Sequence, residues 1–339
     1  MTKAGTGAGV TLGVLAVLAL VSVLGKERAP APSRSTEVPS VSRPPSLTLV
    51  PMLSSAPSME PRVVPWDSGV LGRSRPREGN PEGPTSFAVV ADGLLVLDRV
   101  NGRLVRLGQT SGSVLLDLRA PDDLAVAADG TLAVLDRLGD KAIGLFDPQG
   151  KPLGKLSLVG SGLPEPGLVS GVFVDGNRIY VEREHATLVL VGTTDGRPAE
   201  SPETLVGRPS KDGTLLLSAG IVDRDAGRMY VAAVDRARGE HRFTRELRLG
   251  GAIDTIRMLD TDRRGIIYTA AELELPGRAP EIQVLCLEPE RGALLGTATF
   301  AASTSAEETF RDFAVTDTGE VVFAFRNDEG VQFLRARCP

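Results

Sequence analysis

From residue 83 to the C terminus, short apolar runs alternate with polar clusters that carry Asp and Gly. Phe87–Val90 and Leu94–Leu97 flank Asp92-Gly93, and Arg103–Leu107 and Ser113–Leu118 follow Asn101-Gly102 and Ser111-Gly112. Brief alternation with a turn signal at each break, and no sustained helical period, predicts strands. A second unit repeats the order as LAVAADG from Leu124, TLAVLDR from Thr131, KAIGLF from Lys141 and PLGKLSL from Pro152. Later units drift but keep a turn, in VDGNRIYV from Val174, VDRDAGRMYV from Val222, LDTDRRGIIY from Leu259 and VTDTGEVVFAF from Val315. The turn glycines fall at 93, 130, 176, 227, 265 and 319, which makes six units of about 45 residues. A four-stranded repeat of that length predicts an all-β propeller of six blades.

The first two units carry a more specific signal. GPTSFAVVADGLLVLDRVNGRLVRL, from Gly83, has a proline before the first strand, an apolar core, the Asp-Gly turn, a second strand ending in Asp98 and an Asn101-x-Arg103 entry to the third strand. It resembles an NHL repeat. The second unit is similar through Asp136-Arg137 and Asp140-Lys141, and the later units lack the Asn-x-Arg step. The resemblance implies a six-bladed propeller and, for many of its members, a scaffold that presents loops to a protein or ligand.

The last unit shows only three strands, near Phe310–Val315, Glu320–Phe325 and Val331–Ala336. An open outer edge is an aggregation hazard, so Val63–Val70, around the single Trp66, is expected to supply the missing strand and latch the ring. On that reading the propeller occupies residues 62–339. Residues 28–61 form a Pro/Ser-rich linker, extended and without a core. Within the linker, Ser46–Leu53 is apolar enough to dock, although a sticky patch in a loose tether is the preferred reading. Residues 4–25 are uncharged and strongly apolar from Val10 to Leu24. They lie between the length of a cleavable signal and that of a spanning helix. We read residues 1–27 as an uncleaved membrane anchor with the propeller outside the cytoplasm, cleavage and secretion being the alternative. Lys26, Arg28 and Arg34 after the segment, against Lys3 before it, run counter to that orientation under the positive-inside rule.

The chain of 339 residues has a formal charge of −5 and no Lys/Arg-rich run, which argues against a nucleic-acid partner. Its two cysteines, Cys286 and Cys338, could form one disulfide tying down the chain end in an oxidising compartment, or stay as inert thiols inside the cell.

Candidate chemistry is sparse. Asp223-x-Asp225 and Asp260-x-Asp262 resemble the start of a calcium loop, but counting from Asp260 the fifth and twelfth positions hold Arg264 and Ala271, so turn chemistry is the better reading. The two histidines, His185 and His241, have no nucleophile motif near them and read as surface or strand-end residues. No cofactor is expected, while an oxygen-lined metal site on the propeller axis stays open. Glu165, Glu184 and Asp312 are the scattered acids that a lactonase-like hydrolase or lyase could use. An enzyme should gather ionisable groups at one mouth of the channel with shifted pKa values, whereas a binding module should show an apolar rim. Asp98 and Asp136 recur at equivalent places, so Asp98 is expected to be structural, accepting hydrogen bonds from backbone or from Arg103. The reading favoured overall is a membrane-tethered binding scaffold.

Overall fold

The computed structural model describes residues 62–338 apart from 109–111, 161, 184–186 and 306, together with the backbone of 47–49. The expected anchor at 4–25 and most of the linker lie outside the described residues, as do Glu184 and His185. Among the described residues, no helix is long and apolar enough to cross a membrane.

Six antiparallel sheets form six blades. With strands lettered a to d from the first onward, blade 1 is Pro84–Val90, Gly93–Asp98, Arg103–Leu107 and Gly112–Asp117. Blade 2 is Asp123–Val126, Leu132–Asp136, Ala142–Phe146 and Pro152–Ser157. Blade 3 is Val169–Asp175, Arg178–Arg183, Thr187–Thr193 and Thr204–Val206. Blade 4 is Arg208–Pro209, Leu215–Asp223, Arg228–Asp235 and His241–Arg248. Blade 5 is Ala252–Thr261, Ile267–Glu274, Glu281–Leu287 and Leu294–Ala301. Blade 6 takes strands a to c from Phe313–Val315, Glu320–Arg326 and Gly330–Arg337.

The fourth strand of blade 6 is Arg62–Pro65, which pairs antiparallel with Gly330–Phe333 and so joins the N-terminal side of the propeller to its last blade. Beside it, Trp66 donates its backbone N–H to Glu329 and its indole N–H to the Asn327 carbonyl at 2.9 Å. Arg73 lies over the Trp66 ring and pairs with the buried Glu307. First strands of blades 1 and 2, 2 and 3, 5 and 6, and 6 and 1 touch one another, so the a strands line the inside of the ring.

Two parts of the pattern come out differently from the sequence reading. In blade 4 the a–b turn is at Asp212-Gly213, and VDRDAGRMYV, with Gly227, forms the b–c turn on the opposite face. The a strand there is only two residues long, too short to register as an apolar run, so the eye moves to the next hairpin. Leu47–Leu49 also pairs, in parallel, with Glu246–Arg248 on the outer edge of blade 4. The linker segment is therefore a fifth strand on an edge whose backbone groups would otherwise face water.

Alternating side chains send apolar residues to both faces of each blade, and these fill the seams. Leu95, Leu97 and Leu104 of blade 1 meet Leu124 and Val134 of blade 2. Tyr268 and Phe300 of blade 5 meet Val321 and Phe323 of blade 6. The seam between blades 3 and 4 is crossed by polar contacts instead, with Glu182 paired to Arg208 and Asp175 to Arg236.

Candidate functional site

Each blade presents its b–c turn and its entry to strand a on one face, called the upper face here, and its a–b and c–d turns on the lower face. Long side chains from this framework converge inside the ring. Arg311, just ahead of the a strand of blade 6, reaches past blade 1 to Asp123 of blade 2 at 3.0 Å and to the Val172 carbonyl of blade 3 at 2.9 Å. Asp123 also accepts from Ser86 at 2.6 Å and from the backbone N–H groups of Leu124 and Val172. One carboxylate thus joins blades 1, 2, 3 and 6. Lys211, at the a–b turn of blade 4, reaches past blade 5 to the Val315 carbonyl of blade 6 and lies 3.4 Å from Asp260. Arg208 of blade 4 holds Glu182 of blade 3 with two hydrogen bonds, at 2.9 and 3.0 Å, and donates to the Leu259 carbonyl of blade 5. Arg208 and Arg311 both lie over the Phe173 ring, 4.9 and 5.0 Å from its centroid.

Ionisable groups therefore do converge on the axis, as an enzyme would require, but they arrive as matched pairs. Burial works against the charge of Arg311, and the carboxylates of Asp123 first, then Asp260 and Glu182, together more than offset it, holding the guanidinium above its ordinary range. A carboxylate locked to an arginine and to backbone donors is a poor base or nucleophile. Among the described residues, no group of three His, Cys, Asp or Glu could hold a metal ion.

The acids singled out in the sequence scatter. Asp312 is buried beside Arg257 and Arg326, and burial pushes its carboxyl up against the opposing pull of both arginines. Glu165 is exposed at the start of the short 3-10 helix Pro166–Leu168. His241 opens the d strand of blade 4, exposed, with its Nε2 2.9 Å from Thr244 Oγ1. Asp223 and Asp262 serve their own turns, accepting from the N–H of Ala226 and from those of Arg264 and Ile266. Burial and the neighbouring Asp262 push the Tyr268 hydroxyl up to about 12.

Asp98 accepts from Gly72 N–H at 3.0 Å, Asn101 Nδ2 at 2.8 Å and Arg103 Nε at 2.9 Å, and is fully buried. Arg103 extends the corner to the carbonyls of Gly69 and Val70. Among the described residues Asp136, its repeat partner, accepts only from Gly139 N–H, at 2.7 Å. Cys286, in the c strand of blade 5, and Cys338, just past the c strand of blade 6, are joined as a disulfide with Cα atoms 6.2 Å apart, inside the range that such a bond spans.

Sequence reasoning missed Arg311, Asp123, Arg208 and Lys211. The signal for them is their place in the repeat, at the entry to or exit from an a strand, where a long charged side chain points inward.

Five exposed large apolar side chains lie on the upper face over blades 2 to 4. Leu138 is in a b–c turn, Val159 and Leu168 are in the connection between blades 2 and 3, and Val206 and Val222 are at strand ends. Val63, Val114, Leu153 and Leu295 lie within outer strands, and Val206 is the last residue of one, Thr204–Val206.

No family model matches the chain. It is 30% identical over 166 residues to a probable arabinosyltransferase B of Mycobacterium avium, a match that takes in 47% of this chain and 14% of that protein. Solved structures with a similar chain trace include the calcium-binding protein regucalcin from Agrobacterium tumefaciens, at 16% identity, covering 84% of this chain and 96% of that one with a TM-score of 0.44. A putative 6-phosphogluconolactonase from Bacteroides uniformis is 12% identical, covering 76% and 82% with a TM-score of 0.46. BamB from Moraxella catarrhalis is 12% identical, covering 75% and 85% with a TM-score of 0.38. Similarity at this level carries no argument, and the assignment to six-bladed propellers rests on the sheet topology.

Proposed function

We propose that the protein is a binding module, tethered to a membrane by residues 4–25 and held outside the cytoplasm, whose upper face meets a protein partner. The observation that carries this reading is that Leu138, Val159, Leu168, Val206 and Val222 are exposed at upper-face loops and strand ends of blades 2 to 4. Apolar side chains grouped on loops of a rigid scaffold are what a protein interface uses. The pairing of Asp123 with Arg311 and of Glu182 with Arg208 is the second support, since it ties up both acids. The uncharged apolar segment and the Pro/Ser-rich linker support the tether, and the Cys286–Cys338 bond suits an oxidising compartment.

The test is crosslinking of the full chain in its own membranes, comparing wild type with a Leu138→Asp, Leu168→Asp double variant. Loss of one discrete crosslinked species in the variant, with unchanged thermal unfolding, supports the reading. An unchanged set of species sinks it. A reporter fused after Pro339 tests the orientation, and signal from the cytoplasm would overturn the export proposal.

The hydrolase alternative has one observation on its side, the raised carboxyl of the buried Asp312 between two arginines. Lactone hydrolysis by wild type that disappears in a folded Asp312→Asn variant would put that reading first.

A further inference from the structure

Two of the three axial pairs share an asymmetry. Asp123 and Glu182 are 1% and 2% exposed, whereas their partners Arg311 and Arg208 are 26% and 28% exposed, with Lys211 at 31% and Asp260 at 32%. In those two pairs the acid lies behind its cation, whereas Lys211 and Asp260 are equally exposed to the inside of the ring. Asp123 and Glu182 fix the direction of the Arg311 and Arg208 guanidinium groups, and Arg208 gives its third nitrogen to the Leu259 carbonyl. Arg311 uses Nε and Nη2 on Asp123 and Val172, and among the described residues its Nη1 has no hydrogen-bond partner. Phe173 lies under both guanidinium groups and supplies an apolar wall. Planar donors fixed beside an aromatic face match a carboxylate on a small apolar body.

We propose that the axial channel binds a small carboxylate-bearing molecule, its oxyanion held by Arg311 and Arg208 and its apolar part against Phe173. The charge balance selects a singly charged group. Arg311, Arg208 and Lys211 are offset by Asp123, Glu182 and Asp260, so a dianion such as phosphate would leave twice the excess negative charge that a carboxylate does. Asp260 is the lumen acid that limits affinity, because its negative charge faces the same space as the ligand's. The site uses different residues from the upper-face interface and does not depend on it.

The experiment is calorimetry on the detergent-solubilised full chain at constant ionic strength, with benzoate, benzyl alcohol and inorganic phosphate as probes. Benzoate should bind about ten-fold or more tightly than benzyl alcohol, the uncharged ring of similar shape. Arg311→Lys keeps the charge but removes the planar fork, and should weaken benzoate about ten-fold. Asp260→Asn should tighten benzoate about two- to five-fold, a gain that a purely structural role for the axial pairs does not produce. If Arg311→Lys does not fold, Asp260→Asn and Lys211→Met decide, the second by weakening benzoate. Equal binding of benzoate and benzyl alcohol, or no gain in Asp260→Asn, overturns the proposal. Phosphate binding more tightly than benzoate overturns the carboxylate assignment.

Discussion

Asp98 and Asp136 end the b strands of consecutive blades, each followed by an arginine, yet their surroundings differ. Asp98 is a buried hub for Gly72, Asn101 and Arg103, while Asp136 is half-buried and caps its own turn through Gly139. The difference comes from outside the repeat. The chain leaving the latch strand Arg62–Pro65 runs over blade 1, and its Gly69–Gly72 stretch docks on the Asp98–Arg103 pair. Among the described residues no such segment hydrogen-bonds to Asp136; the nearby Gly167 and Val169 carbonyls accept from Arg137 instead. The arginines behave oppositely, for Arg99 and Arg137 converge on one carboxylate, Asp122, through the Arg99 guanidinium at 2.6 Å and the Arg137 backbone N–H at 2.9 Å. Equivalent positions can thus share a partner or take unrelated ones, depending on what the ring closure brings to them.

The largest effect should come from Asp98→Ala. It strands Arg103 and three backbone or amide donors, and should cost about 3–5 kcal/mol in chemical denaturation. A loss below that of an ordinary surface change would break the comparison at its strong end. Gly72→Ala is next. A methyl group there would sit 2.9 Å from Asp98 Oδ1, and the crowding should cost about 1–3 kcal/mol. That result would show that the close approach of the entry segment, and not Asp98 alone, sets the corner.

Asp136→Ala should cost about 1 kcal/mol or less, since one partly exposed turn hydrogen bond is lost. A cost equal to that of Asp98→Ala would return both residues to a common repeat role. The smallest effect is a slope. Burial raises the Asp122 carboxyl above its usual 3.8, with Arg137 and Arg99 opposing. The folded protein therefore holds this proton more tightly than the unfolded chain does. Stability of wild type relative to Asp122→Asn should fall as pH rises from that value through the folded pKa, then level off. A difference that rises with pH over that window would mean that the two arginines outweigh burial.

Much of the fold was legible because it is written locally. Strand alternation, Asp-Gly turns and the three-stranded last unit gave the blades and pointed to the Trp66 region as the latch. Blade 4 escaped because Arg208–Pro209 is too short to leave a periodic trace, and the next hairpin, at Gly227, mimics the expected turn. Little of the candidate site was legible. Asp123 and Arg311 are 188 residues apart, and neither lies in a motif. Pairs at such separation follow from where the ring places strand entries, which no short window of sequence encodes.

By itself the sequence determined the class of structure, because side-chain alternation and turn chemistry act between near neighbours. It also fixed which residue types stand at the strand entries. Only the tertiary structure decided which of those residues meet. Closing six blades into a ring brings Arg311 to Asp123 and Lys211 to Val315 across intervening blades, and lays the entry segment on Asp98. The physical reason is that these contacts depend on inter-blade geometry. That geometry is set jointly by the packed seams and the latch, not by any one repeat.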